Sequence, residues 1–234
     1  MEAEKQLVSA LMADAHIRRA FERGHGLPSE PMSVWRDSDH SWPMTAYAPT
    51  HLPKWETLTE AMKMFIAFDA GMEFQSCYAF TAHVNEALIG KWSAATHGFM
   101  ANVEQRLKRA LHRQGLQAIP YCYLVETRSR SGRSSTRPHL HGFFIAETPI
   151  DAARFQVALE RAFHPDLIRK TRQRAIKVEP AYDNGGNFAG RSQWLSYMIK
   201  NIDRWDARLG KRRVHLSRSL IGIAREAWEL RREP

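Results

Sequence analysis

The stretch RPHLHGFFIAE, residues 137–147, sets two histidines one residue apart inside an otherwise apolar run. In a β-strand, side chains two apart point to the same face, so His139 and His141 are neighbours about 7 Å apart by strand rise. Two imidazoles on one strand face either satisfy one another in a core or hold an ion. With 11 His in 234 residues such a pair arises by chance roughly 0.5 times, so it needs company to carry weight. Glu126 ends the preceding apolar run, IPYCYLVE, and lies beside the histidines if the two runs pair as a hairpin. Two neutral imidazoles and a carboxylate suit Mn2+ or Mg2+, with water and phosphate oxygens completing the shell. No C-x-x-C or H-E-x-x-H spacing is present, which excludes the usual structural-zinc and zinc-protease arrangements.

A second constellation follows in the chain. In WLSYMIKN, Tyr197 and Lys200 stand three apart, on one face of a helix. A phenol with pKa near 10 is a weak nucleophile until its anion is stabilised, and a lysine one turn away supplies that charge. Tyrosine, lysine and a His/His/Glu cation site are together the parts needed to break a phosphodiester and keep one end on the protein.

The elements that must position these residues are visible in the patterning. Residues 3–22 and 55–68 read as helices, joined by a stretch rich in Pro, Ser, Gly and Asp. Residues 1–70 are expected to form an accessory helical and irregular segment, and residues 71–234 the main domain. Within the latter, strands are predicted at 75–85, 119–126, 138–147 and 174–182, and helices at 97–114, from 149 to about 163, at 192–202 and from 218 onward. Gly115 reads as a helix stop, Thr148-Pro149-Ile150-Asp151 as a capped helix start, and Ser217 as the cap of the last helix. The order β-α-β-β-α-β predicts an α+β fold: a split, ferredoxin-like antiparallel sheet with helices on one face and the other face free for a ligand.

Charge points to the kind of ligand. Residues 1–60 hold six Lys/Arg and nine Asp/Glu, so the net +9 of the chain comes from the remainder. A basic excess confined to one part fits a polyanion such as nucleic acid. The acid-free run Arg128, Arg130, Arg133, Arg137 is a candidate for DNA phosphates, and Trp194 for stacking a base. No run is long enough to cross a membrane, the N-terminus lacks a signal-peptide layout, and Cys77 and Cys122 read as buried thiols, so a cytoplasmic location is expected. A different class stays open on these residues: a sheet with Tyr121, Tyr123, Phe143 and Phe144 could be an RNA-recognition platform without chemistry.

Three motifs in order resemble those of the HUH endonucleases, and among them the rolling-circle replication initiators of phages and plasmids. AFTAHVN (79–85) resembles the first strand motif, RPHLHGFF (137–144) the metal motif, and YMIKNID (197–203) the tyrosine motif with its lysine. The resemblance covers about residues 75–205. Relaxases of that superfamily usually place the tyrosine first, so the order here points away from them, while single-tyrosine transposases share it. The resemblance implies nicking and rejoining of single-stranded DNA, or of an origin hairpin, through a 5′-phosphotyrosine on Tyr197. His139, His141 and Glu126 would hold Mn2+ or Mg2+, Lys200 would assist, and a host helicase would be the partner that separates strands. Two departures stand out: SRSGRSST lengthens the gap between Glu126 and His139, and Gln193 and Trp194 occupy the turn where many phage initiators carry a second tyrosine. One nucleophile per chain is therefore expected, and the sequence leaves the oligomeric state open.

Overall fold

The computed structural model describes residues 54–58, 60–73, 77–128, 135–164, 175–181, 198, 206–209 and 213–232. A 3-10 turn, Trp55–Thr57, precedes helix α1, Glu60–Glu73. Strand β1, Cys77–His83, leads into α2, Glu86–Ser93, and α3, Gly98–Arg113. Strands β2, Tyr121–Arg128, and β3, Ser135–Ile145, follow, then α4, Pro149–Phe163, and β4, Ile176–Pro180. Strand β5, Val214–Leu216, and helix α5, Arg218–Arg232, close the order. The protein is α+β: the strands form one five-stranded antiparallel sheet in the order β4-β1-β3-β2-β5.

Local chemistry explains where elements begin and end. The α4 start is capped as its sequence predicts: Thr148 Oγ1 accepts from the Asp151 amide at 3.2 Å and donates to Asp151 Oδ2 at 2.7 Å, with Pro149 in the first turn. Gly115 follows the end of α3 at φ 74°, the left-handed conformation that closes many helices. Ser217 Oγ accepts from the Leu220 amide at 3.3 Å, opening α5, and from the Tyr121 amide at 2.9 Å, tying that opening to the sheet. Helix α2 and strand β5 were not predicted. The first is a short helix capped by Asn85, whose side chain accepts from the Ala87 amide at 3.0 Å. The second has three residues, too few to show a period.

The expectation of helices on one face is corrected. Alternation along the strands divides the sheet into two faces, and both are covered. Phe80, Tyr123, Leu140 and Phe144 pack with α2, α3 and α4, where Phe144 stacks on Phe155 with centroids 3.8 Å apart. Cys77, Cys122, Phe143 and Ile145 pack on the other side with α1 and α5, where Phe68 meets Phe143 edge-on at 5.0 Å. The reason lies in β2 and β3. Tyr121-Cys122-Tyr123-Leu124-Val125 is buried at every position, so neither face of that strand can meet water. Helix α1 supplies the second cover: Met64, Phe65, Ile66, Ala67 and Phe68 are all buried. It spans Glu60–Glu73 and packs in this core. Both cysteines are buried and unbridged. Among the described residues no helix is long and apolar enough to cross a membrane.

Candidate metal centre

The α1 and α5 layer covers only part of its sheet face. Along β3 that face reads Ile145, Phe143, His141, His139, apolar at one end and polar at the other. The same change occurs on β2, from Cys122 and Leu124 to Glu126, and on β1, from Cys77 to Thr81 and His83. Strand β3 lies between β1 and β2, so the two histidines have neighbours on both sides. Glu126 stands directly opposite His139, and Leu124 opposite His141. Across the other ladder, Thr81 pairs with His141 and His83 with His139.

These registers bring three donors together. Glu126 Oε2 lies 3.1 Å from His141 Nε2 and 3.3 Å from His139 Nε2. All three ligand atoms fall within 4.8 Å of one another. The long gap between Glu126 and His139 is absorbed near the bulge in the ladder: from the Glu126–His139 pair to the Arg128–Ser135 pair, β2 advances two residues and β3 four. Pro138, which cannot donate to a ladder, sits inside that irregular stretch.

The tautomers follow from what the other ring nitrogens touch. His139 Nδ1 is 2.9 Å from the Arg137 carbonyl, an acceptor only, so Nδ1 carries the proton and Nε2 presents its lone pair. His141 Nδ1 is 3.0 Å from Thr81 Oγ1, which accepts from it when Nδ1 is protonated; in that tautomer the Nε2 lone pair, on the Glu126 side of the ring, is the atom that would ligate an ion. Around a six-coordinate ion with bonds near 2.1 Å, adjacent donors lie roughly 3 Å apart, close to the separation of Glu126 Oε2 from each imidazole nitrogen. Glu126 is 1 % exposed and His141 2 %, so the carboxylate is withdrawn from water and needs positive charge beside it. The donor set, its spacing and its burial fit one divalent cation.

Thr81→Val keeps a β-branched side chain in the strand but removes the oxygen that orients His141. The variant is expected to lose about tenfold in Mn2+ affinity with little loss of fold, as read by Mn2+ titration and thermal unfolding.

His83, like Thr81, is a site residue that the sequence reading did not single out. Its ring stacks on His139, with centroids 5.1 Å apart and an interplanar angle of 29°. Burial, and then the neighbouring His139, push its pKa down. The available signal was parity: His83 is two residues from Thr81 in an alternating strand. Its use needed the β1–β3 register.

Arg137 is exposed, and its Nε donates to the Val84 carbonyl at 2.7 Å, beside the centre. Of Arg128 only the backbone, in β2, is described. Tyr197, Lys200, Trp194, Arg130 and Arg133 lie outside the described residues. Met198, next after Tyr197, is fully buried in the apolar cluster on the histidine-bearing face. The aromatic residues of the RNA-platform reading are all buried, Phe143 on one face and Tyr121, Tyr123 and Phe144 on the other, and none offers a stacking surface.

No protein-family model, curated protein or solved structure matches the chain. The candidate site therefore stands on its own geometry.

Proposed function

We propose that this chain is a metal-dependent endonuclease that nicks and rejoins single-stranded DNA through a covalent 5′-phosphotyrosine, initiating rolling-circle replication of a phage or plasmid. One observation carries the reading: Glu126 Oε2 and the Nε2 atoms of His139 and His141 converge on one point of an antiparallel sheet. The frame supports it. Strands β4-β1-β3-β2 lie in the order of a split, ferredoxin-like β-α-β sheet, with β5 added at the β2 edge. Met198, next after Tyr197 in the chain, is buried in the core of the histidine-bearing face.

Glu126, His139 and His141 would hold Mn2+ or Mg2+, which supplies positive charge to the oxygens of a bound phosphate. Tyr197 Oη attacks phosphorus and forms the Tyr–O–P bond as the bond from phosphorus to the 3′-oxygen breaks. The phenolic proton leaves, the 3′-oxygen gains a proton, and the DNA retains a free 3′-hydroxyl. Lys200 lowers the cost of negative charge on the phenolate or phosphate. Attack by an incoming 3′-hydroxyl reverses the step and rejoins DNA. Arg128, Arg130, Arg133 and Arg137 hold flanking phosphates, and Trp194 stacks a base. Strand separation falls to a host helicase or to supercoiling.

The test is a denaturation-resistant protein–DNA adduct formed from single-stranded oligonucleotides, random or origin-derived, with Mn2+. Wild type is expected to form it, and Tyr197→Phe to form none. An adduct that persists in Tyr197→Phe, or its absence from wild type with every metal tried, refutes the reading.

A further inference from the structure

We propose that His83 and Arg137 form a phosphate-binding subsite at the rim of the cation site, which receives a phosphodiester oxygen of the nucleic acid. The choice of a phosphodiester rests on the endonuclease reading; the anion-binding character rests on the local structure.

Access comes first. Glu126 and His141 are closed off, while the His139 side chain is 12 % exposed, so a substrate reaches the centre past His139. The ring stacked on His139 is His83. Whatever approaches the His139 side meets His83 before it meets the carboxylate.

The second point is what His83 offers. It is half-buried, and its ring nitrogens have no hydrogen-bond partner among the described residues. A phenylalanine or leucine would pack there as well without leaving polar atoms unsatisfied. An imidazole in that place has a donor to give. The Arg137 guanidinium is close enough to act on it electrostatically, and the Glu126 carboxylate lies beyond His139, where a cation held by the three donors would offset its charge.

Arg137 supplies the charge. Its Nε is fixed on the Val84 carbonyl, and among the described residues neither Nη group has a partner, so the planar fork that matches phosphate faces a ligand. The backbone between the two residues is locked. The Val84 amide donates to the Pro138 carbonyl at 3.2 Å, and His164 Nε2 donates to the His83 carbonyl at 2.6 Å. His139 leans on the same loop through the Arg137 carbonyl. One rigid corner therefore orients a metal-ligating imidazole, a second imidazole and a guanidinium.

The experiment follows the ring nitrogens of His83 by 15N NMR in the full-length protein with Mg2+. Inorganic phosphate and oligothymidylate are titrated separately, so that free phosphate and a DNA phosphodiester are distinguished. The His83 signals are expected to shift with both. Arg137→Gln, followed at the same signals, and His83→Gln, followed at the backbone amides of the corner, are each expected to weaken both ligands about tenfold, the effect of one lost charge-assisted hydrogen bond. A response to neither ligand, a response to phosphate alone, or unchanged affinities in both variants overturns the proposal. The adduct assay reads Tyr197 and this titration reads His83, so failure of the covalent chemistry and failure of the subsite give different results.

Discussion

Glu126→Gln is expected to weaken Mn2+ binding at least about a hundredfold while leaving the fold intact, and it removes any stabilisation that the ion gives. The substitution keeps the shape of the side chain and one carbonyl oxygen. It removes the one carboxylate among the three described donors, and an amide oxygen is a far weaker partner for a divalent ion than a carboxylate. Even loss of a supporting hydrogen bond around a metal costs roughly tenfold to a hundredfold in affinity, and a charged ligand contributes more. Because binding to the folded state stabilises it by mass action, wild type at 100 times its dissociation constant gains about 2.7 kcal/mol, seen as a raised unfolding temperature. The variant should show no such rise at the same Mn2+ concentration. Without metal it should unfold close to wild type, because His139 and His141 keep their Nδ1 partners on Arg137 and Thr81.

Gly142→Ala is expected to cost about 3 kcal/mol or more, among the largest effects of any single methyl group in this chain. A Cβ at residue 142 would stand 2.2 Å from the Cys122 carbonyl oxygen and 2.5 Å from Phe80 Cζ. The carbonyl belongs to the β2–β3 ladder and cannot withdraw without opening it. The Phe80 ring is held between Phe144 and Phe155, with centroids 6.3 and 5.6 Å away. Trimming Phe80 to alanine in the same chain should therefore not restore stability, because the carbonyl clash remains. Since residue 142 follows His141 directly, the variant should also lose metal affinity together with stability. Urea unfolding measures the first effect and Mn2+ titration the second. A loss under about 1 kcal/mol would contradict the register that pairs Glu126 with His139.

Much of this centre could be read from residue order, and the rest could not, for physical reasons. The period of two placed His139 and His141 on one face before any register was known, and Thr148-Pro149-Ile150-Asp151 marked the α4 start because capping is a local interaction. Glu126 was a conditional ligand. A hairpin with a long basic loop has many registers, and only the two extra residues in β3 bring the carboxylate opposite His139. His83 was missed because it joins the site through β1, 56 residues before its partner His139, and such distant pairings leave no periodic trace. The covered second face was misjudged for a related reason. Residues 55–68 read as a helix, but a helix apolar on several sides shows that it is buried and not against what. Its partner, the face of Cys77, Phe143 and Ile145, appears only once the strands are laid side by side.

The central claim is that Glu126, His139 and His141 are ligands of one divalent cation. The most direct measurement is electron spin echo spectroscopy of the protein titrated with Mn2+, with histidine labelled by 15N. One Mn2+ per chain is expected, coupled to two directly bound imidazole nitrogens, with one of the two couplings lost in His139→Gln. Stoichiometric Mn2+ without imidazole coupling, or couplings unchanged in His139→Gln, would contradict the account.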